Sequence, residues 1–252
     1  MSPQHPAKDS RNYLLTKHAY ACATHDGVIF LDLRRDKYLG LGGAQAQALS
    51  ALVQGWPEPP PGRAEPPESE ESQPYNAAVA ELLIAEGLLT RDRALGKAAS
   101  PVRLTTEKSL VVLGDDLERP PKIRPADAVR FLRACVGTTY LLRTQSMVEV
   151  VRRVAERREQ SASHLAAFDP DRTAELVNIF RRLRMYTFTA SGHCLFHSLA
   201  LRQFLDSNDV FPSWVVGVKT NPFAAHSWLQ LNQYVMDATP EEVGFFTPIL
   251  VI

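Results

Sequence analysis

The chain has 252 residues, 45% of them hydrophobic and 22% charged, enough apolar material for one large or two modest folded domains. Its 28 basic and 28 acidic side chains cancel, so nothing argues for nucleic acid or an acidic surface as partner and neither is expected. Three widely spaced cysteines make no disulfide framework, and no signal-like start or apolar run of ~18 residues occurs, so a cytoplasmic protein with no membrane partner is expected.

Met1 to Asn12 is polar and reads as frayed. His18–Thr24, Val28–Leu33 and Lys37–Leu41 read as three strands, the first two joined by the hairpin signal Asp26-Gly27. Ala44–Gln54 then reads as a helix, with Ala48, Leu49, Leu52 and Val53 along one side. Trp56 to Pro74 holds seven prolines among glutamates. Such a composition cannot bury a core, so residues 56–74 are expected to be an exposed, disordered excursion. Tyr75–Glu86 reads as a second helix closed by Gly87, and Leu88-Leu89-Thr90 as a closing strand. Arg91–Pro101 is the expected linker between a domain over 13–92 and another over 102–252.

In the second half, Val102–Leu113 reads as strand or loop. Asp127 is expected to cap a helix over Ala128–Val136, with further helices over Thr139–Arg158 and Asp171–Tyr186. The basic runs Arg152, Arg153, Arg157, Arg158 and Arg181, Arg182, Arg184 read as solvated helix faces.

Ser191 or Gly192 could cap a helix with Leu195, Leu199 and Leu205 on its apolar side, placing Cys194 in the first turn. There the unpaired N–H groups and the helix dipole favour an anion and lower a thiol pKa from ~8.5 towards ~3.5–7.5. Cys22 and Cys135 have no such surroundings and read as buried core thiols. Ser213–Val218 and His226–Leu231 read as strands, and Asn232-Gln233 as a tight turn into Tyr234–Thr239. With that turn, position 231 pairs with 234 and 226 with 239. His226 and Asp237 then share a face as diagonal neighbours, about 7–8 Å apart at the backbone, which a one-residue slip would undo. A thiol nucleophile, an imidazole base and a carboxylate to orient it make a cysteine peptidase or acyltransferase site. A zinc reading of His193, Cys194, His197 and His226 lacks a familiar spacing, and no metal is expected. A third possibility is a non-catalytic peptide-binding protein in which the three residues coincide.

The helix beginning Cys194-Leu-Phe-His-Ser-Leu-Ala-Leu-Arg, the Gly217-Val218 strand, His226-Ser-Trp and Asp237-Ala-Thr resemble the transglutaminase-like cysteine proteases of lasso-peptide biosynthesis. Gly27-Val-Ile-Phe-Leu-Asp-Leu-Arg-Arg-Asp-Lys-Tyr-Leu-Gly-Leu resembles the precursor-recognition domains of modified-peptide pathways. The whole is similar to the fused leader peptidase that carries both. This resemblance implies an α+β chain: a winged helix-turn-helix-like recognition domain of three strands and three helices, then a transglutaminase- or papain-like domain of helices and antiparallel sheet. It implies removal of the leader from a ribosomal precursor peptide, with Cys194 as nucleophile, His226 as base and then acid, Asp237 as orienting carboxylate, and the Cys194 N–H in the oxyanion hole. The leader would add as a strand to the edge Lys37–Leu41 beside helix Tyr75–Glu86, with Lys37, Tyr38, Leu39 and Leu82 as contacts. The implied partners are the precursor peptide and an ATP-dependent macrolactam synthetase. No cofactor enters the chemistry; any ATP dependence comes through the partner complex, since no Gly-rich phosphate loop is visible.

Overall fold

The structure, a computed structural model, describes residues 12–57, 73–100, 102, 104–111, 121–161, 168–185 and 194–252. The expected frayed start and residues 58–72 of the Pro-rich stretch lie outside them. The chain divides into two compact units, Met1–Val102 and Arg103–Ile252.

In the first unit the strands are β1 (Leu14–Thr16), β2 (Ala19–Thr24), β3 (Gly27–Asp32) and β4 (Lys37–Gly42). The last three form an antiparallel meander ordered β2-β3-β4, with Thr24 opposite Gly27 at its first turn. Gly27 has φ 148°, and a Cβ there would overlap the Leu41 carbonyl, so this turn requires glycine. Helix α1 (Gly43–Ser50) stops short of the expected Gln54 because Val53 leaves it to bridge Tyr13. Helix α2 (Gln73–Ala85) follows, then β5 (Leu89–Thr90) and β6 (Gly96–Lys97). These two flank β1 in a second small sheet.

The stretch read as a linker therefore returns to the first unit. Ala99 is buried and its N–H bonds the Gln54 carbonyl at 2.9 Å. Trp56, assigned to the exposed excursion, is instead a core residue whose ring lies 5.8 Å from Phe30. The three expected strands stand as β2, β3 and β4. Two of the three expected helices lie among the described residues.

The second unit comprises β7 (Lys108–Ser109), α3 (Pro125–Thr144), α4 (Met147–Ser161), α5 (Pro170–Met185), α6 (Cys194–Asp206), β8 (Ser213–Lys219), β9 (Ala224–Leu231), β10 (Tyr234–Val235), α7 (Pro240–Gly244) and β11 (Thr247–Val251). Its sheet runs β11-β8-β9-β10-β7 and is antiparallel except for the β10–β7 pair.

Helix α3 runs on past the expected end at Val136, and the break falls at Gln145-Ser146. Gly137 does not interrupt it, because packing uses the missing side chain: a Cβ there would come 2.6 Å from Gln203 Oε1 of α6. Asp127 is not the cap but a first-turn residue whose carboxylate accepts the Arg124 N–H at 3.0 Å, with Pro125 in the first helical position. Buried Phe131, Phe180 and Phe204 stack α3, α5 and α6 together, with ring centroids 5.1 and 5.6 Å apart.

Candidate active site

Cys194 opens α6 and is half-buried. At that position its thiolate would meet unpaired backbone N–H groups and the positive end of the helix dipole. Ser191 and Gly192, the expected caps, lie outside the described residues, as does His193. Cys22 and Cys135 are buried, and burial pushes their thiols up to about 12 and about 11. Neither can supply a thiolate near neutral pH.

A buried polar chain fixes the first turn of α6 to the sheet. Trp214 Nε1–H donates to Ser227 Oγ at 2.6 Å, Ser227 and Ser198 hydroxyls lie 2.7 Å apart, and Ser198 donates to the Leu195 carbonyl at 3.2 Å. Each hydroxyl has one proton. With Ser198 donating to Leu195, Ser227 must donate to Ser198, so the chain is directed from β8 through β9 to the residue after Cys194. Sequence reasoning missed it. Its signals were a serine one turn beyond the cysteine and another between His226 and Trp228. Replacing Ser227 with alanine strands the fully buried Trp214 N–H, and we expect a loss of about 1–3 kcal/mol in urea unfolding. Ser198→Ala leaves Trp214 paired and should cost less.

His226 lies on β9 opposite Gly217 of β8. Its ring stacks on Trp228, two residues along the same strand face, at 6.0 Å, and tilts against Phe246 at 5.2 Å. Burial among these rings lowers the imidazole pKa below its ordinary value, opposed by the Glu242 carboxylate. Ser227, next along the strand, points to the other face and meets α6.

Asp237 follows the turn at Asn232, which has φ 53°. The pairing of Leu231 with Tyr234 is the expected register, but the strand does not reach Thr239. Met236 still donates to the Leu229 carbonyl at 3.0 Å, whereas the Leu229 N–H is taken by the Asp237 carboxylate at 3.0 Å. A side chain thus replaces the main-chain acceptor and ends the ladder. Thr239 and Glu242 then exchange capping hydrogen bonds at the start of α7. The residue is partly covered, with its carboxyl turned inward onto β9. Burial pushes that carboxyl up to about 6, against the hydrogen bonds from Leu229 and its own N–H and the charge of Arg184.

Arg184, read as part of a solvated run, is half-buried at the end of α5, with Nη1 3.4 Å from His197 Nδ1. Arg181 and Arg182 are likewise half-buried. Among the described residues no hydrogen bond joins Cys194, His226 and Asp237 to one another, and no three His, Cys, Asp or Glu groups gather as a metal would need. The three residues share one helix–sheet unit. Ser198, one turn beyond Cys194, touches the residue after His226, and Asp237 bonds β9 three residues beyond His226.

In the first unit, β4 is an edge of its sheet. Lys37 and Leu39 on it are exposed and Tyr38 is half-buried; Leu82 on α2 is exposed. With Leu39 at 40% and Leu82 at 61% exposure, neither leucine belongs to the core. Helix α1 packs against both β4 and α2. Among the described residues, no helix is long and apolar enough to cross a membrane.

Residues 132–251 match the family model of the transglutaminase-like superfamily, a stretch that contains Cys194, His226 and Asp237. The chain is also similar to the microcin J25-processing protein McjB of Escherichia coli, with 38% identity over 47 residues. That stretch covers 19% of this chain and 23% of the curated relative. No solved structure matches significantly.

Proposed function

We propose that this chain is a cysteine peptidase that removes the leader from a ribosomally made lasso-peptide precursor, before a partner ATP-dependent synthetase closes the macrolactam. The observation that carries this reading is the thiol at the head of α6, tied by the Trp214–Ser227–Ser198 chain to the strand that bears His226. The superfamily match over the same residues and the similarity to a microcin J25-processing protein support it. In this reading His226 takes the Cys194 proton and the thiolate attacks the carbonyl carbon at the leader–core boundary. The Cys194 N–H meets the oxyanion, and His226 returns its proton to the leaving core amine. Water, deprotonated by His226, then breaks the thioester and frees the leader acid. Asp237 orients the imidazole, and no cofactor enters these steps.

The first unit would capture the leader as an added strand on β4, with Lys37, Tyr38, Leu39 and Leu82 in contact. Leu39→Asp combined with Leu82→Asp should weaken leader binding by about 2–3 kcal/mol while leaving Cys194 alkylation unchanged. Calorimetry with the leader peptide and iodoacetamide kinetics check the two halves. Mass spectrometry of the precursor incubated with the chain, with and without the synthetase and ATP, tests the whole reading. Cleavage at one bond supports it, and a leader that binds but stays uncut in every mixture overturns it. The transglutaminase-like match also favours a second reading, acyl transfer to an amine; its product would carry the amine in place of water.

A further inference from the structure

The imidazole of His226 has two aromatic neighbours, Trp228 on its own strand and Phe246 between α7 and β11. Phe246 follows α7, whose last turn closes with the Phe246 N–H on the Val243 carbonyl at 2.9 Å. Directly afterwards β11 locks onto β8, with Thr247 opposite Val218 and Pro248 opposite Gly217. Phe246 is therefore held on both sides, over the residue that pairs with His226. Gly217 makes the space: a Cβ there would come 2.7 Å from two ring carbons of Trp228 and 3.0 Å from the Phe246 Cβ. Any side chain at 217 would displace one of the two rings that touch His226. Lys219 of β8 sets its Nζ 5.3 Å from the Phe246 ring centroid.

We infer that Phe246 is a positioning residue for His226: with Trp228 it clamps the imidazole above the bare backbone of Gly217, fixing the ring plane and holding it in apolar surroundings. The inference rests on the reading of His226 as the base. An apolar clamp disfavours the imidazolium, so the ring stays neutral and able to accept a proton to lower pH than a solvated histidine. The charged group that acts on it is Glu242 from α7, which opposes this effect, while Lys219 of β8 stands against the Phe246 ring.

The test is a histidine-selective NMR titration of the full chain, with the His226 signal assigned by its loss in His226→Gln. In Phe246→Ala the midpoint of His226 should rise by roughly one pH unit, and the acid limb of the cleavage profile should move with it. A fall of about tenfold in kcat should accompany this as the ring loses its fixed plane. Phe246→Tyr keeps the ring and should restore both midpoint and rate. If Phe246→Ala does not fold by circular dichroism, Phe246→Leu replaces it, with a smaller rise in the same direction. Repeating the pair in a Lys219→Ala background separates the clamp from the charge beside the Phe246 ring. A folded Phe246 variant with an unchanged His226 midpoint would overturn the inference. The titration needs no substrate. A failure to cleave any precursor would sink the peptidase reading and leave the clamp to be judged on its own.

Discussion

Cys194→Ala should lower precursor cleavage by at least about 10⁴-fold, with leader binding unchanged, because nothing else in the site can form the thioester. Serine at 194 should do little better. An alcohol at the same helix end is a far weaker acid than a thiol, and an imidazole in apolar surroundings is a poor base for it. The two other cysteines offer no rescue, since both are buried and their thiols are pushed up to about 12 and about 11. Single-turnover kinetics followed by mass spectrometry gives the ratio, and calorimetry with the leader peptide supplies the binding control.

Asp237→Asn should act in opposite directions on activity and stability. Asparagine keeps an oxygen that can accept the Leu229 N–H, so the strand end survives. It cannot hold an imidazolium as a carboxylate does, and a loss of about 10²–10⁴-fold in rate is expected. The stability effect follows from the carboxyl pKa, raised to about 6 from 3.8 by burial. Between those values the folded chain holds more protons than the unfolded one, so wild-type stability falls as pH rises through that window and levels off above it. A difference of two units corresponds to about 3 kcal/mol. The neutral asparagine escapes that loss, and the variant should melt higher than wild type near about pH 8, with the gap closing towards about pH 3. Melting curves at both values check the direction. A site that gives up stability for a buried acid is the usual cost of function.

The candidate site residues stand out in the sequence because each lies beside a local signal. Cys194 precedes a helical apolar stripe, and His226 and Asp237 flank a two-residue turn whose register, Leu231 with Tyr234, is the one observed. What escaped the sequence depended on partners far along the chain. Helix α3 passes through Gly137 because Gln203, on a helix not yet reached, occupies the space where a Cβ would stand. The strand after Asn232 stops early because one carboxylate outcompetes a carbonyl for the Leu229 N–H. Residues 91–101 read as a linker, yet Gly96-Lys97 completes a sheet with Leu15 and Thr16, which lie outside the three expected strands. Ser198 and Ser227 form a chain only because Trp214, on another strand, supplies its third member.

The measurement that bears most directly on the central claim is cleavage of the precursor in heavy-oxygen water, with mass spectrometry of both fragments. The account predicts one heavy oxygen in the new carboxyl of the released leader, an unlabelled core with a free amine, and neither product with Cys194→Ala. A leader joined to an amine without label would make the chain a transferase. Label appearing equally with the alanine variant would remove Cys194 from the chemistry.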